Sequence, residues 1–297
     1  MSLREKLEHI SGIELKWDAD LTSYSTFRLK SRGDIVHVAS ERALAEVLKE
    51  VRASGRPWRI VGWGANQVFR TNESDLLIYL DFPQTLEELA SYRDEYSLSA
   101  STGLNHLTGA ASKHGLKGWE ALTGIPASLG GAIYMNAGTA LGEIGSLVKS
   151  VRLMNEAGEI RTEVITKASF SYRKNHFVMP GEVIISAVIG HQGQDADVPA
   201  KIKAYLEYRR SSQPLATKNC GCVFKNQSPQ KQAGRLIDLT GLKGVTVGAL
   251  RVSHKHANFM ENVGDASAED FRTIVDLVNL EMRLYWGVEF ELEVKAV

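Results

Sequence analysis

Residues 122–145 carry six glycines, Gly124, Gly130, Gly131, Gly138, Gly142 and Gly145, set among alanines. Glycine loses the most backbone freedom on folding and is disfavoured inside helices and strands. Such a stretch therefore serves turns and places where a backbone or a ligand comes close. Thr123-Gly124-Ile125-Pro126-Ala127-Ser128-Leu129-Gly130-Gly131-Ala132 puts a rigid proline turn before small residues, and Asn136-Ala137-Gly138 continues it. Tight helix packing uses small residues equally well, so this stretch alone does not assign a ligand.

Regular patterns flank it on both sides. Residues 34–40 alternate as a strand, and 41–54 place Leu44, Leu48 and Val51 at helical spacing before Gly55. Short strands follow at 58–61, 75–80 and 96–101, with a helix over 105–114 stopped by Gly115. Strands resume at 147–155 and 182–190. Polar 193–197 is the best linker, and helices are expected over 198–212, 231–239 and 266–287. The last of these puts Phe271, Ile274, Val278 and Met282 on one face. A closing strand over 289–294 alternates Phe290, Leu292 and Val294 with Glu289, Glu291 and Glu293. The fold class is α+β. The expected blocks are a helical segment at 1–20, a domain at 21–192 (two α+β subdomains, about 21–83 and 84–192) and a C-terminal domain at 198–297.

The 297 residues suffice for two or three domains with a sizeable core. Thirty-five basic and 35 acidic side chains cancel, which argues against a nucleic-acid binder using a broad basic face. No apolar run has signal-peptide or membrane-spanning length, and the expected location is the cytoplasm. Cys220 and Cys222 are the only cysteines, too close for an ordinary structural disulfide and too few for a zinc site. His254 and His256 lack the further ligands a metal needs, so no metal is expected.

Four segments carry chemistry. Asn219-Cys220-Gly221-Cys222-Val223-Phe224-Lys225-Asn226 sets a thiol, an ammonium and two carboxamides around a glycine bend. In an extended segment Cys222, Phe224 and Asn226 share a face. Gly62-Trp63-Gly64-Ala65-Asn66-Gln67, directly after a strand, can gather backbone N–H groups toward phosphate oxygens; it matches neither the P-loop nor the dinucleotide glycine pattern. Two small-residue loops in one α+β domain favour a large nucleotide cofactor. Arg173, after Ser171-Tyr172, offers a planar cation for a carboxylate. Glu291 and Glu293 fall on one face of the last strand.

In order and spacing these segments resemble the MurB family, the flavin-dependent UDP-N-acetylenolpyruvoylglucosamine reductases of bacterial peptidoglycan synthesis. The likeness runs from Ser25-Thr26-Phe27 to Glu293. It includes Gln213-Pro214, Ala233-Gly234-Arg235-Leu236-Ile237, Gly241-Leu242-Lys243-Gly244 and Ser253-His254-Lys255-His256-Ala257-Asn258-Phe259. The resemblance implies a vanillyl-alcohol-oxidase-type FAD-binding domain of two subdomains and a C-terminal α+β substrate domain. Gly62, Trp63, Gly64, Ala65, Asn66 and Gln67, with Gly124, Ile125, Pro126, Ser128, Gly130, Gly131, Asn136 and Gly138, would hold FAD. NADPH would reduce it. Arg173, Cys222 and Glu293 would be catalytic, Cys222 donating a proton; Tyr172, Lys225, Asn226 and His256 would bind the UDP-sugar. A glutamate helps a developing enolate only when protonated or acting through water, which requires a raised Glu293 pKa. No obligate protein partner is expected. The alternatives are another oxidase or dehydrogenase on the same cradle, or a flavin- or nucleotide-binding protein without catalysis.

The chain departs from the family pattern in four places. Cys222 stands where serine is usual. Trp63 and Ala65 interrupt a glycine-rich loop, and Gln227 replaces a proline. No tyrosine-bearing loop follows Arg173, which marks the shorter subtype.

Overall fold

A computed structural model describes residues 1–296. Its contacts divide into two compact units. The first comprises Met1–Trp17, Asp34–Gly62 and Asp75–Glu207; the second comprises Asp18–Gly33, Trp63–Ser74 and the residues from Tyr208 onward. These units interleave, where the sequence pattern suggests contiguous blocks.

The first unit holds two four-stranded sheets. In one, Arg32–Val38, Leu76–Leu80 and Trp58–Val61 run parallel, with Ile35 opposite Leu77 and Ile60 opposite Ile78. The helix Glu41–Ser54 connects the first and last of these. Ser40 caps its start, and Gly55 ends it in a left-handed turn. Ala43, Leu44, Val47, Leu48 and Val51 are buried, the face that the helical period requires. Each large aliphatic side chain there contributes about 1.5–3 kcal/mol by leaving water. In the other sheet Ile160–Val164, Val148–Met154, Val183–Gly190 and Glu95–Ser99 are antiparallel neighbours. The helix Leu104–His114 and fully buried Trp119 pack into its core, and the Trp119 indole N–H donates to the Gly190 carbonyl.

The second unit is built on the helix Ala268–Trp286. A reciprocal Ser267–Asp270 capping box starts this helix, and left-handed Gly287 ends it. Its buried face meets Phe27, Leu29 and Val68, brought in from early in the chain. Leu250–Val252 sits between Thr246–Val247 and Met260–Asn262 in a three-stranded antiparallel sheet.

Three expectations change. The N-terminus is not helical through residue 20: only Leu3–Leu7 is helix, and Ile13–Asp20 is a strand. Ile13, Leu15 and Trp17 alternate there and pack on the first unit's core, a period of two that decides for strand. The closing strand over 289–294 is not regular. Among the described residues Leu292 makes one bridge to Phe224, and only Lys295–Ala296 pairs, parallel to Gln67–Val68. Both backbone groups of Phe290 are met by the Asn279 carboxamide, which takes the place of a strand neighbour. The 220–226 segment is likewise no regular strand; its ladder consists of single bridges, Cys222 to Phe259 and Phe224 to Leu292.

Candidate active site

In the first unit, Phe170–Ser171 and Lys174–Asn175 form a hairpin whose two turn residues are Tyr172 and Arg173. Arg173 has φ 55°, the left-handed region. A turn with positive φ at its second central residue favours Gly or Asn. An arginine there costs on the order of 1–3 kcal/mol and persists only where surrounding contacts fix it. Its guanidinium donates to the Asn136 and Gly138 carbonyls at 3.4 and 3.1 Å and pairs with Glu143 at 3.5 Å. It also lies over the Tyr172 ring, 5.0 Å from the centroid.

Asn136, also left-handed at φ 45°, is buried. Its Nδ2 donates to Glu143 at 2.8 Å and to the Ser171 carbonyl at 3.0 Å, and its Oδ1 accepts from the Gly145 N–H at 3.0 Å. A Cβ on Gly145 would stand 2.7 Å from that oxygen, so glycine is required there. The Asn136 side chain, expected on the cofactor, is thus occupied within the protein. The Gly138 carbonyl is similarly committed to Arg173.

Ser128 caps the short helix Leu129–Tyr134, and Gly124 before it is left-handed and exposed, with Pro126 also exposed. A Cβ on Gly62 would lie 2.7 Å from Ser128 Oγ, so the end of the strand Trp58–Val61 and this turn form one close-packed wall. Gly130 and Leu129 donate their N–H groups to the carbonyls of Ala100 and Thr102. The Thr102 hydroxyl, fully buried, has no hydrogen-bond partner among the described residues. This wall, with its polar atom to spare, fits the FAD that Gly62, Gly124, Ile125, Pro126, Ser128, Gly130 and Gly131 are expected to hold.

In the second unit, Trp63–Gln67 runs into a short pairing with the chain's end. Asn66 Nδ2 donates to the Glu293 carbonyl at 3.1 Å, and the Lys295 N–H donates to the Asn66 carbonyl at 2.9 Å. The Cys222 segment lies on the other side of the same terminal residues. The Glu293 N–H donates to Val223 O and the Lys225 N–H to Glu291 O, each at 2.8 Å. Cys222 and Glu293, both expected to be catalytic, therefore lie on paired segments, with the residue after Cys222 bonded to Glu293. Burial pushes the neighbouring Cys220 thiol well above its ordinary range, and the charges of Cys222 and Glu293 push the same way. Cys220 is buried, whereas Cys222 is partly exposed; neither is in a disulfide.

Glu291 and Glu293 do not act as a matched pair. Glu291 is exposed and holds Lys225 Nζ at 3.0 Å, while Glu293 is half-buried. Lys225, expected on the substrate, is thus held by Glu291. Asn226 accepts from the Ala233 N–H at the start of the helix Ala233–Leu239.

A cleft of about 350 Å³ opens beside Cys222. Asn226, Arg235, Asp238, Lys243, Lys255 and His256 line it. Three cations against one carboxylate make it suited to an anionic ligand. Sequence reasoning places Asn226 and His256 here but misses Arg235, Lys243 and Lys255, although each stands in a motif that carries the resemblance. Burial holds His256 below the usual imidazole range, with the Lys243 charge adding to the shift and Asp238 opposing it. Its Nδ1 accepts from the Asn258 N–H, which puts the ring proton on Nε2. Asn258 is a further residue missed. Its carboxamide accepts from Phe224 N–H at 2.9 Å and donates to Phe224 O at 2.8 Å, acting as the strand neighbour that Phe224 lacks on the side away from Leu292.

Comparison with known proteins bears on this arrangement. Residues 213–297 match the model of the UDP-N-acetylenolpyruvoylglucosamine reductase C-terminal domain, and residues 34–163 match an FAD-binding domain. UDP-N-acetylenolpyruvoylglucosamine reductases of Streptococcus pneumoniae strains 70585 and Hungary19A-6 are each 32% identical over 302 aligned positions, covering 100% of this chain and 99% of the relative. The chain belongs to the UDP-N-acetylenolpyruvoylglucosamine reductase family. The crystal structure of the reductase (MurB) from Thermus caldophilus superposes with a TM-score of 0.78 at 31% identity, covering 96% of this chain and 98% of that one. The fold is accordingly the vanillyl-alcohol-oxidase-type FAD-binding domain with a C-terminal α+β domain. Among the described residues no helix is long and apolar enough to cross a membrane, and no cluster of three or more His, Cys, Asp or Glu side chains could hold a metal.

Proposed function

We infer that the chain is an FAD-dependent oxidoreductase that reduces the enolpyruvyl group of UDP-N-acetylglucosamine enolpyruvate to give UDP-N-acetylmuramate, with NADPH as the electron source. The reading rests on family membership along the whole chain. The observation that carries it is the backbone pairing of the Cys222 segment with the residues around Glu293.

Bound FAD, once reduced by NADPH, would supply the hydride for C3 of the enolpyruvyl group. Hydride addition drives charge into an enolate spread over the substrate carboxylate. Arg173 stabilises that charge by pairing with the carboxylate. Cys222 gives the proton to C2; a thiol with an ordinary pKa of about 8.5 is a far stronger acid than the serine hydroxyl usual in the family. Glu293 supports the enolate as a neutral acid or through water. Arg235, Lys243 and Lys255 give the cleft beside Cys222 the charge to take the diphosphate, with Asn226 and the neutral His256 as hydrogen-bonding groups for the rest of the UDP-sugar. They do so in a chain without the tyrosine-bearing loop.

Anaerobic stopped-flow absorbance in the visible flavin band tests this reading. NADPH bleaches the protein, and the UDP-sugar restores the colour. Cys222→Ala leaves the bleaching intact and slows the recovery by about 10²–10⁴-fold, the range for a lost general acid. Bleaching without recovery in the wild type sinks the assigned substrate; unaltered recovery in Cys222→Ala removes Cys222 from the mechanism.

A further inference from the structure

We propose that Glu143 is a positioning residue for Arg173, acting through the guanidinium. The inference rests on the role assigned above to Arg173.

The hairpin alone cannot aim this side chain. Arg173 occupies a left-handed turn position at φ 55°, and a long side chain on a turn tip has many rotamers. Besides the Tyr172 ring, three polar contacts narrow them: the carbonyls of Asn136 and Gly138, and the Glu143 carboxylate 3.5 Å from the guanidinium. The two carbonyls are fixed by the backbone. Glu143 is the one charged group of the three, and it has its own anchor. Its second oxygen accepts from Asn136 Nδ2 at 2.8 Å. Asn136 in turn holds the Ser171 carbonyl, two residues before Arg173, and the Gly145 N–H, two residues after Glu143. One buried carboxamide thus ties the backbone that carries the arginine to the backbone that carries its carboxylate. The Arg173 side chain is only 17% exposed and that of Glu143 37%, so solvent screens the pair less than it would on an open surface.

A plain bracing role for Glu143 makes a different prediction. Glu143→Gln keeps an acceptor for Asn136 and so keeps the brace. With its oxygen on Asn136 it turns the amide N–H₂ toward the guanidinium and removes the charge that holds it. Under the proposal, Glu143→Gln binds FAD and is bleached by NADPH as the wild type is, but its reoxidation by the UDP-sugar slows by about 10–100-fold, the scale for a displaced catalytic group. In the Arg173→Ala background the same substitution produces no further slowing, since Glu143 then has nothing to aim. Added guanidinium ion partly restores reoxidation in Arg173→Ala and fails to do so in Arg173→Ala/Glu143→Gln. Wild-type reoxidation in Glu143→Gln overturns the proposal while leaving Arg173 in place. Equal slowing in both backgrounds also overturns it, because Glu143 then acts independently of the arginine. An Arg173→Ala variant that reoxidises normally removes the arginine from the mechanism and the proposal with it.

Discussion

Asn258→Ala is the substitution whose cost the structure sets most directly. Phe224 is fully buried and Asn258 nearly so. The Asn258 carboxamide meets both backbone groups of Phe224, at 2.9 and 2.8 Å, on the side facing away from Leu292. Alanine removes both partners at once. A buried backbone group left unpaired costs about 1–3 kcal/mol, so the two together cost about 2–6 kcal/mol. That is a large part of the ~5–15 kcal/mol that holds a typical domain folded. Asn258→Asp keeps the acceptor for Phe224 N–H but loses the donor, and it costs about half as much, plus the repulsion of a carboxylate against a carbonyl. Equilibrium urea unfolding gives the stability change from the midpoint and slope. Stopped-flow reoxidation reports the displacement of Cys222, two residues upstream. An alanine variant within about 0.5 kcal/mol of wild type, the range of an indifferent surface change, would refute the clamp.

Cys222→Ser should keep much of the second half-reaction and lose inactivation by iodoacetamide. Alkylation needs the thiolate, and burial keeps Cys220 protonated, so Cys222 is the thiol expected to react; inactivation that persists in this variant would show that another group is being hit, Cys220 first among them. His256 carries a depressed pKa, so the unfolded chain binds its proton more tightly than the folded one. Its contribution to stability is complete above the ordinary imidazole value of about 6.5 and is lost as pH falls from there toward the folded-state value. Urea midpoints measured across the acid range should fall less steeply for His256→Gln than for wild type; identical slopes would show that the imidazole is not held neutral.

The helices were legible where apolar period and cap agreed. Residues 41–54 read as helix from Leu44, Leu48 and Val51, and the fold uses that face, Ser40 and Gly55 as caps. The segment at 13–20 was hidden because its alternation, Ile13, Leu15, Trp17, is carried by only three apolar residues beside a charged start. The terminal carboxylates were legible as a pattern, but their division of labour was not. Whether a glutamate meets Lys225 or turns inward depends on strand ends that side-chain amides complete, at Asn258 and Asn279. Period-two reasoning assumes a backbone neighbour and has no term for a carboxamide in its place. Asn136 stands in a legible small-residue loop; that its amide is spent on Glu143, Ser171 and Gly145 follows from contacts up to 35 residues away.

The interleaving of the two units fixes an order in which the protein can be made. Phe27, Leu29 and Val68 belong to the same core as the final helix, and their segments are anchored to late residues: Thr26 to Asn219, Asn262 to Phe27, Asn66 to Glu293, separations of 193, 235 and 227 residues. The first unit's sheets lie within residues 13–190 and can close while the ribosome is still at work. The early segments of the second unit must instead wait for their core partners until almost the whole chain has been synthesised. Nor can the C-terminal portion be excised as a self-sufficient fragment, because part of its interior is encoded some two hundred residues upstream of its own helix.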